Sequence, residues 1–472
     1  MRQLSEPRPR DRGPAERSGC PVGGAPVRFP LGELRNDLIG TQRRLVSEQG
    51  GFARYQVLRR VFTLAGSTEA SQRVLVRAMG NYGRARQHDN LSLLLGRGLI
   101  CSDGAEWQRQ RKLAQPVFGK ALMARVVDIT SALTQDLLAS WDDASRRGTQ
   151  IDLLNDMQGV TLRVIAMALF GRDIELGDTA DGGPANCFAE AVASGEVVIF
   201  RRTISPIPVP LWFPDQHNRR FRRALAAVDR FIGERIDERL AGTGDYDDIL
   251  SDLIRSYGDR AGAMRGELRD QVLTLFFAGF ETTAVSLGWT WLLLSRDAEV
   301  EERFHEELDR VLGGRVPTSE DLKSLSYTSQ VIAESMRMFP PVFTLPRKAA
   351  ADDEIGGHAI RRGDNVIVPV HVLHNLPQYW AEPAEFRPER FAPGELTEDQ
   401  RAAYLPFSAG PRRCLGATFA TAEMLTVLAV AGQRVRLTGD PGQPLTVRAA
   451  VTQRPAGEVR MRVEPRSVRA TS

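Results

Sequence analysis

Cys414 stands apart from the other cysteines, Cys20, Cys101 and Cys187. It closes the run FSAGPRRC, which begins at Phe407 and continues into Leu415 and Gly416. A helical pattern starts directly after it. Free backbone N–H groups at a helix start, with Arg412 and Arg413 nearby, favour a thiolate. Gly410 and Gly416 allow tight turns and the close approach of a flat ligand. A lone thiolate makes a poor zinc site, which takes four ligands. It suits haem iron, where one axial thiolate suffices. Two other readings stay open for such a residue. An inert buried thiol fits Cys101 and Cys187 better than Cys414. A catalytic nucleophile would want a paired histidine, and none of the six histidines announces itself.

The second feature is an acid in an apolar run. Residues 271–294 read QVLTLFFAGFETTAVSLGWTWLLL, with Glu281 as the one ionisable group. Burying a carboxylate is costly or raises its pKa. Ala278 and Gly279 leave space beside a helix, and the Thr282 and Thr283 hydroxyls can bond back to the preceding turn. Small residues, an acid and a hydroxyl together are what a proton-delivery site beside a bound ligand needs. The run also has the length of a bilayer span, about 20 apolar residues. A helix face that reaches solvent is a third option. Strongly charged amphipathic helices flank the run, and no apolar companion of similar length is evident. A long helix through the core of a large soluble protein is therefore the preferred reading.

The elements that must position these groups read as mostly helical from about residue 31 to 337. DITSALTQDLLASW, LNDMQGVTLRVIAMALF and FRRALAAVDRFIGERIDERL carry apolar residues at helical spacing. After Pro340 the pattern changes to short β-like runs such as NVIVPVHVL, with turns at Gly356-Gly357 and Arg362-Gly363-Asp364. A long irregular stretch leads to Cys414, then one more helix and short terminal strands. The expected fold is mainly α with a smaller β portion. Residues 1–26 read as a disordered leader and residues 27–472 as one domain.

The 472 residues are 26% charged and 42% hydrophobic, with a net charge of +3. This excludes a disordered charged tail and a membrane bundle, and it leaves no nucleic-acid footprint. Lysine occurs at Lys112, Lys120, Lys323 and Lys348, so arginine supplies most of the basic charge. That skew suggests a GC-rich bacterial genome. No secretory h-region follows the basic start and no membrane anchor is expected, so a cytoplasmic, monomeric protein is the expectation.

Taken together, these segments resemble the cytochrome P450 family. FSAGPRRCLG fills the pattern F-x-x-G-x-R-x-C-x-G of the family's haem-binding loop. AGFETT is similar to the oxygen-activation motif on its long central helix. Glu334-Ser-Met-Arg337 resembles the E-x-x-R pair, FRPERF with Arg390 the later segment that completes a Glu–Arg–Arg cluster, and Trp107-x-x-x-Arg111 a haem-propionate contact. E-x-x-R occurs at Glu106/Arg109, Glu307/Arg310, Glu334/Arg337 and Glu398/Arg401, and position alone selects Glu334/Arg337.

The resemblance implies haem b with Cys414 as proximal ligand. It implies Thr282 as hydrogen-bond partner of bound dioxygen, Glu281 as proton relay, and Ala278-Gly279 as the space for O2. Trp107, Arg111, Arg347 and Arg412 become the expected propionate partners, with Phe407 packed near the sulfur and Gly416 beside it. Glu334, Arg337 and Arg390 would be structural. A looser carry-over puts Phe277, Phe280, Val342, Phe343, Thr344, Leu345, Val451, Thr452 and the stretch 87–103 around a lipophilic substrate. The activity implied is insertion of one oxygen atom from O2 into a hydrophobic small molecule in secondary metabolism, such as terpenoid or polyketide tailoring. Desaturation, coupling or peroxygenation, and non-catalytic haem binding, are the alternatives. Electrons would come from NAD(P)H through a separate ferredoxin and ferredoxin reductase, with Arg109, Lys112 and Arg413 as part of a docking face.

Overall fold

The protein is described by a computed structural model covering residues 26–28, 37–57, 60–85, 87–173, 184–204, 209–242, 244, 246–440, 442 and 445–466. The expected leader lies outside these residues, Pro26 excepted, and so does Cys20.

The 30-residue helix Arg265–Leu294 forms the axis of the fold. From Val272 onward Glu281 is its one ionisable residue, and the rest of that stretch is apolar or small on all sides, as a helix surrounded by protein requires. It packs most extensively on Leu153–Phe170, and also on Gln216–Leu240, Ser326–Met338 and Ala417–Gly432. Leu153–Phe170 is itself long and apolar enough to span a membrane, so the central run does have an apolar companion. Of the most apolar window in the central helix, 78% is buried inside the protein. Protein thus supplies the surroundings that the membrane reading would assign to lipid. Peripheral helices are one-sided: Gln216–Leu240 buries Phe221, Ala224, Val228, Ile232 and Ile236 and leaves its other face charged. Asp152, Asp215, Asp248 and Asp297 each cap a helix start with a side-chain oxygen.

A six-stranded sheet orders Val27–Arg28, Phe52–Val57, Arg60–Ala65, Asn365–Val368, Leu345–Ala349 and Tyr82–Arg84 side by side. Three of these strands, Phe52–Val57, Arg60–Ala65 and Tyr82–Arg84, fall in the stretch 31–337 expected to be mostly helical. FARYQV and RVFTLA are short and rich in aromatic and β-branched residues, so they fit a pleated surface. Their stabilising partner, Asn365–Val368, comes some 300 residues later, and local periodicity cannot display it. Ile151–Asp152 joins Val435–Gly439 and Arg460–Pro465 in a second sheet. The hairpin Val447–Ala449/Gln453–Pro455 lies against the central helix.

Candidate active site

The cysteine loop is held by its own backbone. The Cys414 N–H donates to Phe407 O at 2.9 Å, and Arg413 N–H to Gly410 O at 3.0 Å. Gly410 has φ +68°, and a Cβ there would lie 2.2 Å from the Leu75 carbonyl oxygen, so no side chain fits. Helix Gly104–Ala114 presents Trp107 and Arg111 one turn apart. Arg111 donates to the Arg413 carbonyl at 2.9 Å, and the Arg412 guanidinium lies 4.3 Å from the Trp107 ring centre.

Cys414 is accessible to solvent. Protein nevertheless surrounds it closely enough for burial to push its thiol up, against the Gly416 N–H and the charges of Arg111 and Arg413. A residue that is both accessible and enclosed lines a recess. The balance differs from the expectation that the helix start and the arginines leave a ready thiolate. Burial outweighs them, and Arg412 turns instead to Asp103. An unassisted nucleophilic thiolate fits this setting poorly, whereas a metal cation at the sulfur would complete it. At Gly416 an added Cβ would meet nothing nearer than the Phe118 ring at 3.9 Å. The protein itself does not fill the space beside that glycine.

Above the loop lies an excess of buried positive charge. Arg84 and Arg347 face each other across the pairing of Tyr82–Arg84 with Leu345–Ala349. Burial, then the charges of Arg412 and Arg347, pushes Arg84 down to about 9. Burial, then Arg412, pushes Arg347 down to about 10. The acid that acts on this group is Asp103, which pairs with Arg412 and accepts the Arg84 backbone N–H at 2.7 Å. The Nε atoms of Arg84, Arg347 and Arg412 are buried without a partner. Uncompensated buried charge costs several kcal/mol per ion. Three guanidiniums beside one carboxylate are a receptor for a dianion. His88 completes the group: its Nδ1 lies 3.1 Å from Ala85 O and its Nε2 3.3 Å from Arg84, so Nε2 accepts and the ring is neutral. Burial, then Arg84, holds its pKa down at about 3. Arg84 lies outside every expected site segment, and His88 falls within the stretch 87–103 expected around the substrate, not with the arginines. No motif marks them, and Arg84 is brought to the site by a strand that sequence periodicity did not reveal.

On the central helix Ala278 is exposed although Phe276, Phe277, Phe280 and Glu281 are buried. Thr282 donates to Ala278 O at 2.8 Å, and Thr283 to Gly279 O at 2.8 Å. Gly279 does something other than leave room for a ligand. A Cβ there would lie 3.1 Å from Ile165 Cδ1, so its smallness lets helix Leu153–Phe170 close against the axis. Glu281 accepts from Gln158 at 2.9 Å and Thr452 at 3.2 Å, and pairs with Arg454 at 3.5 Å, which in turn pairs with Glu196 at 3.0 Å. Thr452, expected to line a substrate pocket, holds this acid, and Val451, expected beside it, is exposed.

Other expected lining residues divide in the same way. Phe277 and Phe280 belong to an aromatic cluster with Phe276, whose ring stacks on Phe188 at 3.9 Å. Aromatic packing accounts for both, because the core lies on that side of the helix. Phe343 is buried, Val342 exposed, and Thr344 and Leu345 half-buried. The Gln453 N–H donates to Pro341 O at 2.8 Å, which brings the terminal hairpin beside this segment.

The cytochrome P450 family model matches residues 21–453. The chain belongs to the cytochrome P450 family. Cyclooctatin synthase of Streptomyces melanosporofaciens is 35% identical over 401 residues, covering 84% of this chain and 85% of that protein. Cyclooctat-9-en-7-ol 5-monooxygenase of the same organism is 35% identical over 368 residues, 78% of this chain and 77% of that protein. Among solved structures, the cytochrome P450DA heme domain superimposes with a TM-score of 0.81 at 24% identity, covering 94% of this chain and 98% of that one. The fold is thus mainly α with a smaller β portion, and the chain is a monooxygenase-class oxidoreductase whose family uses haem, O2 and reducing equivalents.

In this P450 the cluster behind the cysteine loop is fully built. Arg337 forks onto Glu334 at 2.7 and 2.9 Å, and Arg390 reaches Glu334 at 3.2 Å. The Arg337 and Glu334 side chains are 0% exposed, so their charges depend on each other. Arg337 also donates to the carbonyls of His374 and Pro383, and Arg390 to that of Glu382. These contacts pin the irregular segment ahead of the loop to helix Ser326–Met338. At the proposed docking face, Arg109 is paired with Glu267, whereas Lys112 and Arg413 are exposed.

Proposed function

We propose that this P450 inserts one oxygen atom from O2 into a hydrophobic small molecule in bacterial secondary metabolism, of the terpenoid-tailoring kind. The observation that carries the reading is the pairing of one recessed cysteine with three under-compensated arginines. Cys414 would hold the iron of haem b, and Arg84, Arg347 and Arg412 would hold its two carboxylates. When bound, the haem would supply the activation of O2.

The chain's own residues do the rest. Gly410 and the Arg111–Arg413 contact fix the sulfur's position. Trp107 supports the guanidinium of Arg412, and Phe407 helps to exclude water. Thr282 holds a proton at Oγ1, now shared with Ala278 O. Glu281 takes up and passes on protons at its carboxylate oxygens, with Gln158, Thr452 and Arg454 fixing where it waits. Val342, Thr344 and Leu345 offer apolar contact to a substrate. Electrons come from NAD(P)H through a separate ferredoxin and its reductase, with Lys112 and Arg413 meeting the acidic partner. Burial of both long apolar helices suits a soluble, cytoplasmic enzyme.

The reduced protein with CO should show the strongly red-shifted band of thiolate-ligated haem, and Cys414→His should give a histidine-type spectrum. A surrogate ferredoxin system should consume NADPH faster when a terpene is added. A histidine-type spectrum in the unmutated protein, or NADPH consumption indifferent to every lipophilic compound tried, would overturn the reading.

A further inference from the structure

Helix Ala417–Gly432 carries one acid, Glu423, which is 1% exposed. Neither of its carboxylate oxygens has a hydrogen-bond partner among the described residues. By contrast, Glu281 is satisfied by three donors, and Glu334 by two arginines and the Arg387 N–H. A buried carboxylate anion without a donor is among the costliest groups a core can hold. The polar neighbour that acts on Glu423 is Thr283 of the central helix. Thr283 has a single hydroxyl proton and directs it to Gly279 O at 2.8 Å. Its oxygen lone pairs are therefore free to accept, and it has no proton left to give to Glu423. Two acceptors cannot bond each other, so a hydrogen bond between them takes its proton from the acid. No cation opposes this assignment: burial raises Glu423 well above the ordinary carboxylate range, and Thr283 is the single counter-influence.

We propose that Glu423 is a neutral carboxylic acid that donates to Thr283, and through Thr283 to the Gly279 carbonyl, as a positioning residue for the turn Ala278–Thr282. The chain of contacts is Glu423 O–H to Thr283 Oγ1, then Thr283 O–H to Gly279 O. Gly279 is fixed on its other side by Ile165, and Ala278 and Thr282 belong to the same turn. A buried acid on one helix thereby sets the helix turn around Ala278 on another. The role rests on the haem reading only where bound CO is used as reporter.

Infrared spectroscopy tests the acid directly, with or without haem. The protein at neutral pH should show the carbonyl band of a protonated carboxylic acid. Glu423→Gln should remove that band, and Thr283→Val should shift it upward by freeing the acid from its acceptor. In the reduced CO complex, Glu423→Leu and Thr283→Val should both shift or broaden the C–O stretch of bound CO. Glu423→Gln, which keeps a donor, should leave that stretch unchanged. Loss of the acid band in Glu423→Gln with no response to Thr283→Val would overturn the Thr283 contact. Absence of the band from the unmutated protein would overturn the neutral acid. A C–O stretch identical in the unmutated protein and Thr283→Val would overturn the positioning role, even where Glu423→Leu fails to fold. A histidine-type CO spectrum would count against the haem reading while leaving the acid-band result standing.

Discussion

Arg84 shows how a single residue can be a burden alone and an asset in company. Its guanidinium is buried beside Arg347 and Arg412, with Asp103 as shared acid. In the haem-free chain Arg84→Leu removes one of three like charges, and its urea midpoint should rise, by roughly 1–2 kcal/mol of stability. In the haem-loaded protein the same change removes a propionate partner. Haem should then pass to an acceptor apoprotein about tenfold faster, equivalent to ~1.4 kcal/mol. Opposite signs in the two forms are the diagnostic result, and equal signs would remove Arg84 from the ligand site. Gly410 is the converse, a residue defined by what it lacks. Gly410→Ala meets the Leu75 carbonyl oxygen at 2.2 Å and a φ of +68°. It should abolish haem incorporation while far-UV circular dichroism stays near that of the parent, because the clash is confined to the loop.

At the scale of elements, the Glu334–Arg337–Arg390 cluster joins helix Ser326–Met338 to the segment leading to Cys414. Arg337→Ala leaves Glu334 buried with one arginine, and breaking such a pair costs about 3–5 kcal/mol. Arg337→Lys keeps the charge but loses the fork that serves Glu334 and two carbonyls at once. Both variants should unfold at clearly lower urea, with lysine recovering less than half the loss. Full recovery by lysine would mean that charge, not geometry, holds the segment. How far sequence reveals such elements follows from distance along the chain. The cysteine loop is legible because its chemistry is packed into ten consecutive residues, and Glu334–Arg337 because one helical turn contains it. The partners of Glu281 are not legible, since Gln158, Thr452 and Arg454 lie 123, 171 and 173 residues away. Strands Phe52–Val57 and Arg60–Ala65 fail for the same reason, being fixed by a sheet that closes through Asn365–Val368.

Across the whole molecule, the cost of burying ionisable groups sets the response to acid. His374 is wholly enclosed, with Nδ1 3.3 Å from Met336 O and Nε2 accepting the Leu405 N–H at 2.7 Å. Burial, then Arg337, holds its pKa down at about 3; burial, then Arg43, holds His371 at about 4. In the unfolded chain both imidazoles take up protons below about pH 6.5. Acid therefore favours the unfolded chain. The neutral histidines' contribution is complete above pH ~6.5 and falls by about 1.4 kcal/mol per pH unit for each as the pH drops toward 4. Asp156 acts the other way: burial raises it to about 6, so between there and its ordinary range acid favours the fold. His88, held down at about 3 in the same way, adds to the loss, and Glu423, proposed to be protonated in the fold, offsets it as Asp156 does, which leaves a net loss of about 1–3 kcal/mol between pH 7 and 5. The urea midpoint of the haem-loaded protein should fall over that interval. In His374→Gln, which removes one titrating group, the midpoint is lower at pH 7 but should decline by about half as much or less. A decline unchanged by His374→Gln would locate the acid response elsewhere in the molecule.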